Sequence, residues 1–209
     1  MNQTGGIIFT TIIGLWLVIG IPWLIVKSRK AGKAQRAKFE KLRGLMDGGE
    51  AKVGAWGLEG RFRGRQARVE VRPGSRRGPP RLSVRLDCSA RWGFYIVDAH
   101  RVGLRGPEVP DRLQVGDADL DQRFLFGSKD AERFKKWALA PENKKEIANC
   151  LTPSASGDTT GWSERRFLEL SHRRLEWRAT HYPDEDLAPE ALRGLSETLD
   201  QLARSLESS

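Results

Sequence analysis

Three aspartates alternate at Asp117, Asp119 and Asp121, which is how a calcium-binding loop begins. Such a loop also needs a glycine at its sixth position and a bidentate Glu at its twelfth. Here those positions hold Gln122 and Ser128. We therefore interpret the aspartates as a turn leading into a strand, where such side chains accept hydrogen bonds from nearby backbone, and we predict no metal site.

Cysteine and histidine side chains could form a nucleophile with its base. The chain has two cysteines, Cys88 and Cys150, and three histidines, His100, His172 and His181. No pair has zinc spacing, and both cysteines fall on the apolar side of their elements, where a thiol behaves as a small hydrophobic group. The sequence also lacks phosphate-binding and dinucleotide-binding glycine loops and the Gly-x-Ser-x-Gly motif. We predict no catalytic residue and no cofactor, with a Cys–His pair formed only by folding as the enzymatic alternative.

The strongest chemical signal is the placement of positive charge. The net charge is +9, and residues 27–105 hold a large excess of Lys and Arg, whereas residues 106–209 hold a small excess of Asp and Glu. A surface this basic favours an anionic partner. The residues predicted to contact an anionic surface are Lys27, Arg29, Lys30, Lys33, Arg61, Arg63, Arg65, Arg68, Arg76 and Arg77. The alternative is that these cations only fix topology and solvate a sheet.

Nucleic acid is one possible anion. Trp56, Phe62 and Trp92 are interleaved with arginines, as base-stacking side chains would be. Their strand phase, however, places them with the apolar residues of the core face. The sequence therefore predicts that nucleic acid is not the partner.

The elements that position these residues begin with an uncharged segment. Residues 5–26 carry no charge and would span about 33 Å as a helix, against a hydrocarbon core of about 30 Å. Because the cations follow this segment, we predict a transmembrane anchor over residues 1–26, with the amino terminus outside and the rest in the cytoplasm. Gly6, Thr10 and Gly14 form a small-residue stripe that predicts a helix-pairing face.

A basic juxtamembrane helix is predicted for residues 27–50, where Phe39, Leu42, Leu45 and Met46 recur at helical spacing. Residues 51–209 are predicted to form one cytoplasmic domain. In it, alternating apolar and polar residues predict a basic hairpin within 56–72 that turns at Gly64 and Arg65, and further strands within 82–97, 123–126 and 162–179. Helices are predicted over 131–138, from Pro141 and from Pro189, because proline favours the first helical position.

This order of strands, two short helices, strands and a C-terminal helix predicts an α+β domain on an antiparallel sheet. A pleckstrin-homology-like barrel with inserted helices is the alternative. The segment from Val115 to Phe124 reads VGDADLDQRF. It resembles a motif of the form V-G-D-x-x-F-D-x-x-F in uncharacterised membrane-anchored prokaryotic proteins, with Leu120 in place of the aromatic residue. The resemblance implies this architecture and no functional residue.

These observations together predict a non-enzymatic, membrane-anchored protein. Its cytoplasmic domain would bind a protein partner at the anionic inner face of the membrane, as an accessory or assembly subunit. The location predicted with it is the inner membrane, crossed by a single helix. The alternative is a membrane-tethered enzyme of unrecognised type that uses a Cys/His pair.

Overall fold

The computed structural model of this 209-residue chain describes residues 32–49, 51–75, 78–98, 113–152, 165–182 and 184–209. Eight strands form one sheet with the order β1-β2-β3-β4-β8-β7-β5-β6, in which every neighbouring pair is antiparallel. The strands are β1 (Lys52–Val53), β2 (Gly57–Phe62), β3 (Arg65–Arg72), β4 (Arg81–Asp87), β5 (Phe94–Asp98), β6 (Phe124–Ser128), β7 (Arg165–Ser171) and β8 (Arg174–Thr180).

Two tight hairpin turns set the register of the sheet. Arg63 and Gly64 join β2 to β3, and His172 and Arg173 join β7 to β8. All four residues have positive φ, so both turns twist in the sense that matches the flanking strands. The pairing of Phe62 with Arg65 across the first turn puts these two side chains on the same face of the sheet.

The described helices are α1 (residues 32–41), α2 (Ala118–Arg123), α3 (Ala131–Ala138), α4 (Pro141–Leu151) and α5 (Pro189–Ser208). Short 3-10 turns cover Arg43–Leu45, Asp47–Gly49 and Asp184–Leu187. Pro141 and Pro189 each stand at the first position of a helix, as predicted, because their fixed φ suits that position.

One apolar core lies between the helices and a single face of the sheet. Leucines 192, 199, 202 and 206 of α5 are buried in the same cluster as Leu82 and Val84 of β4 and Leu175 and Trp177 of β8. Aromatic rings fill the other end of the cluster, where Phe94 and Trp137 lie 4.9 Å apart between centroids. The α5 leucine stripe is therefore the face that docks on the sheet.

The N-terminal helix belongs to this core. Phe39 of α1 is 1% exposed, and Leu42, Leu45 and Met46 are also buried in the cluster. Gly60 of β2 lies against Met46, because a Cβ there would be 3.0 Å from its Cγ. The apolar stripe predicted for residues 27–50 therefore packs on the domain that follows it.

The predicted membrane helix requires a correction. Residues 5–26, together with Gly6, Thr10 and Gly14, lie outside the described residues. Within the described ranges, no helix is long and apolar enough to cross a bilayer. The longest of them, α5, has 20 residues but carries the charges of Glu190, Arg193, Glu197, Asp200, Arg204 and Glu207. This finding contradicts the predicted transmembrane, single-pass architecture and the predicted inner-membrane location.

The rest of the predicted fold class does not depend on the membrane helix. The α+β class with an antiparallel sheet is confirmed, and the two short helices and the C-terminal helix lie where they were predicted. The barrel alternative is wrong, because the strand order runs from an edge at β1 to an edge at β6 and no described residues pair these two strands.

Candidate partner-binding surface

The sheet has one face packed by helices and one face rich in charge. Side chains alternate between the faces along each strand, so the residues between the core positions of β2, β3, β4, β8 and β7 share the second face. We call this face the open face. Its charged residues are Glu59, Arg61, Arg68, Glu70, Arg72, Arg81, Arg85, Asp87, Arg165, Glu169, Arg174, Glu176 and Arg178.

Glu70 is the centre of an ion-pair network on the open face. Its carboxylate lies 2.9 Å from Arg72 Nε, 3.4 Å from Arg68 Nε and 4.0 Å from Arg85 Nη1. Partial burial raises the pKa of Glu70, but the Arg72 hydrogen bond and the three positive charges outweigh it and hold the pKa below its usual value. The Glu70 side chain is 15% exposed whereas that of Arg72 is 60% exposed. The carboxylate is thus covered while the guanidinium groups face outward.

A second part of the network crosses from β4 to β7. Arg85 Nη2 lies 3.1 Å from Glu176 Oε1, and Arg178 bonds Glu169 and also approaches Glu176. Glu176 is less exposed than Arg85, whereas Glu169 is about as exposed as Arg178. On the open face Glu70 and Glu176 therefore lie beneath arginines, whereas Glu59 and Asp87 stay exposed beside them.

The predicted anion-contact residues are divided by the structure. Arg61 and Arg68 are exposed on the open face, and Lys33 is exposed on α1. Arg63 and Arg65 are directed to the opposite side, toward α5. Five of the predicted residues lie outside the described ranges: Lys27, Arg29, Lys30, Arg76 and Arg77.

Arg65 and its neighbours form a structural cluster. Arg65 Nε donates to Asp200 Oδ1 at 3.0 Å, and its two Nη atoms donate to the Glu207 carboxylate. Asp200 is 0% exposed and also lies near Arg63 and Arg204. The hydrogen bonds that Arg65 donates to Glu207 raise the pKa of Arg65 and lower the pKa of Glu207 to about 2. These arginines therefore join β3 to α5.

The first of the alternating aspartates, Asp117, caps a helix. Asp117 Oδ1 accepts from Leu120 N at 3.0 Å, and the carboxylate of Asp121 accepts from the backbone N–H groups of Val115 and Gly116, each at 2.9 Å. The Lys144 hydrogen bond lowers the pKa of Asp117. Local hydrogen bonding was predicted, but the aspartates belong to the short helix α2 rather than to a simple turn.

Both thiols are unsuited to nucleophilic catalysis. Cys88 and Cys150 are buried at 2% and 3% exposure, and Cys88 Sγ lies 3.8 Å from the backbone oxygen of Ala203. Burial raises the pKa of both thiols, so each stays protonated near neutral pH. His100, one of the predicted histidine partners, lies outside the described residues. The Cys/His alternative gains no support from the described geometry.

Trp56 does not follow the predicted strand phase. Phe62 and Trp92 are buried as predicted, but Trp56 is 38% exposed. It lines a cleft of about 350 Å³ at the edge of the open face, together with Lys52, Arg68 and Glu70. The sequence signal that could have found it is the Gly54–Gly57 turn, which interrupts the alternation before β2 begins.

The sequence interpretation also missed most of the open-face arginines. Arg85 is on β4, the strand that follows the predicted basic hairpin, and Arg174 and Arg178 are on β8, far along the chain from it. Their alternation with Leu86, Leu175 and Trp177 was the available signal. The pairing of β4 with β8 brings the two groups side by side.

Comparison with known proteins gives little further information. No family model matches the chain, and no curated protein matches it. One solved structure that it resembles is the mycobacterial trehalose monomycolate transport factor A, TtfA. The two chains are 12% identical with a TM-score of 0.47, over 75% of this chain and 72% of that chain. A likeness at this level carries no argument about fold or function.

Proposed function

We propose that this α+β domain is a non-enzymatic binding module, an accessory or assembly subunit that docks a partner protein with an acidic surface. The observation that carries the proposal is the open face, on which the arginines outnumber the carboxylates and cover two of them, Glu70 and Glu176. The five neighbouring strands of this face, about 4.8 Å apart, give a platform about 19 Å wide. Such a platform suits a protein surface better than a small ligand.

The charge pattern favours a protein over a nucleic acid. Carboxylates occur across the open face on β2, β3, β4, β8 and β7. They would repel a continuous phosphate backbone, whereas a protein of net negative surface can also offer positive groups opposite them. Arginine is also enriched at protein interfaces, because its planar fork bonds carboxylates in pairs.

The test is capture by the full chain with matched charge variants. The open-face variant carries Arg61→Ser, Arg72→Ser and Arg174→Ser. The control variant carries Lys129→Ser, Lys145→Ser and Arg193→Ser, which removes the same charge from exposed positions away from this face. A captured protein is identified, purified and titrated against all three chains at about 0.1 M salt.

We expect the open-face variant to bind the partner at least about tenfold more weakly, and the control to bind like the original chain. Affinity should decrease as salt rises, because exposed charges are screened. Equal weakening by both variants would show a nonspecific charge effect and reject the open face. Capture of nucleic acid in place of an acidic protein would also reject the proposal.

A further inference from the structure

A cleft of about 320 Å³ opens on the helix side of the sheet, between α4 and α5. Arg166 of β7 and Trp177 of β8 line it from the sheet, whereas Leu195 and Thr198 line it from α5. The volume is near the lower end of the range for small-ligand pockets, which combine apolar walls with a few polar groups. Because Arg166 alternates with the open-face residues of β7, the cleft and the open face are on opposite sides of the sheet.

A buried ion pair lies in this cleft. Arg166 Nη2 is 3.2 Å from Asp186 Oδ2 and 3.5 Å from Asp186 Oδ1, and the two side chains are 9% and 13% exposed. The Arg166 guanidinium also lies 5.5 Å from the centre of the Trp177 ring. A charge-assisted hydrogen bond is usually about 2.7 to 2.9 Å long, so this pair is looser than an optimised one. A ligand carboxylate can therefore compete for Arg166, and a ligand ammonium group for Asp186.

Gly194 keeps the space between the helices open. It lies inside α5, where glycine is less favourable than alanine because its backbone loses more freedom on folding. A Cβ at this position would meet nothing within 4 Å, so no close contact requires glycine there. Ala191 is a second small residue of the same wall. Larger side chains at these two positions would occupy the cleft.

The charges in and around the cleft select against a ligand with a net charge. Arg166 and Asp186 are the charged residues of the described lining, one of each sign. The charged residues that surround this lining on α4, on α5 and on the 3-10 turn of Asp186 are Lys145, Glu146, Glu185, Glu190, Arg193 and Glu197. Carboxylates outnumber cations among them, so a simple anion is not attracted, whereas the buried Arg166 opposes a simple cation. A ligand that carries both charges satisfies Arg166 and Asp186 together.

We propose that the cleft between α4 and α5 binds a free α-amino acid with an apolar side chain. The ligand carboxylate binds the Arg166 guanidinium, whose planar fork matches it. The ligand ammonium group binds Asp186, and the apolar side chain packs against Leu195 in the space beside Gly194. This site does not involve the open face, so its test and the capture experiment succeed or fail separately.

The probes are L-leucine, isocaproate and isoamylamine, which share one branched carbon chain. Isocaproate lacks the ammonium group of leucine, and isoamylamine lacks the carboxylate. Their binding to the full chain is measured by isothermal titration calorimetry. The charge variant is Asp186→Asn, with Glu185→Gln as its control on the same turn. The second variant, Gly194→Leu, fills the cleft and retains the ion pair, and Gly194→Ala is its control.

We expect L-leucine to bind with a Kd below about 1 mM, and each analogue to bind at least about tenfold more weakly. Asp186→Asn should remove the preference for leucine over isocaproate, a change that a merely structural ion pair would not produce. Gly194→Leu should abolish leucine binding, while both controls bind like the original chain. The site is rejected if leucine does not bind in this range, if either analogue binds as tightly as leucine, or if Gly194→Leu leaves binding unchanged.

Discussion

The carboxylate of Glu207 accepts two hydrogen bonds from the Arg65 guanidinium, at 2.7 Å from Nη1 and 2.6 Å from Nη2. This bidentate pair joins the first residue of β3 to the last turn of α5, across 142 residues of sequence. Glu207 Oε1 also accepts from Ser89 N at 2.7 Å, so one carboxylate fixes the end of the helix to two parts of the sheet.

The first prediction concerns the pH dependence of this pair. Arg65 lowers the pKa of Glu207 to about 2, below the value of 4.5 expected when the chain is unfolded. The stabilisation is therefore complete above the unfolded pKa and is lost as pH falls from about 4.5 toward 2. Glu207→Gln should lower the free energy of unfolding by about 1 kcal/mol at pH 7, a modest value because solvent screens the partly exposed pair.

Urea denaturation of both chains at several pH values checks this prediction. The difference in unfolding free energy between Glu207→Gln and the original chain should shrink as the pH approaches 2, because the original Glu207 then becomes protonated as well. A difference that stays constant between pH 7 and pH 3 would show that the Arg65 pair does not carry the effect.

Asp200 carries the second prediction. It is 0% exposed on the inner side of α5 and lies within ion-pair distance of Arg63, Arg65 and Arg204. Asp200→Ala would leave clustered guanidinium groups without their buried counter-charge, which typically costs about 3 to 5 kcal/mol. The same substitution at Glu197, an exposed partner of Arg63, should cost less than about 1 kcal/mol.

Chemical denaturation with circular dichroism measures both variants, and Glu197→Ala serves as the matched removal of one carboxylate from α5. Equal losses of stability in Asp200→Ala and Glu197→Ala would mean that the burial of Asp200 does not increase its contribution to stability. Because Arg63 and Arg65 pair with Asp200, replacing them should lower stability. They are therefore unsuitable as variants for testing partner binding on the open face.

The face occupied by Arg65 shows where sequence reasoning reached its limit. The hairpin over 56–72 was predicted, but its turn was placed at Gly64 and Arg65, whereas the structure places it at Arg63 and Gly64. The alternation of Ala67, Val69 and Val71 with arginines was in the right phase, but Arg65 was counted as a turn residue. In the structure Arg65 begins β3 on the face of Ala67, where it pairs with α5.

Other parts of the fold could be predicted because their signals are local. Pro141 and Pro189 mark helix starts, and the leucines of α5 repeat at helical spacing. The pairing of β4 with β8 depends on contacts between distant parts of the chain, which no local pattern encodes. The open-face arginines of β4, β7 and β8 were missed for that reason.

The motif from Val115 to Phe124 yields the third prediction. Asp121 accepts from two backbone N–H groups, and Gly116 has φ +89, a conformation that favours glycine. Asp121→Ala removes both hydrogen bonds and should cost about 1 to 2 kcal/mol of stability. Asp119→Ala is the control, since that side chain is 61% exposed and pairs only with Arg123 among the described contacts.

Thermal denaturation compares the two variants, with and without added calcium. The Asp121 variant should melt at a lower temperature than the Asp119 variant, and calcium should change neither midpoint, because the carboxylates of Asp117 and Asp121 are engaged with backbone N–H groups. A calcium-dependent rise in the melting temperature that is lost in both variants would instead assign the aspartates to metal binding.

The last prediction tests the enzymatic alternative through Cys88 and Cys150. Burial raises the pKa of both thiols, so iodoacetamide should alkylate them at least about a hundredfold more slowly in the folded chain than in urea at pH 8. Because folding retains the thiol protons, the free energy of unfolding should also decrease as pH rises above the ordinary thiol pKa of about 8.5. Mass spectrometry of the digested protein assigns the label to each cysteine. Rapid labelling of one cysteine in the folded chain at pH 7 would identify an activated thiolate and would favour an enzyme over a binding module.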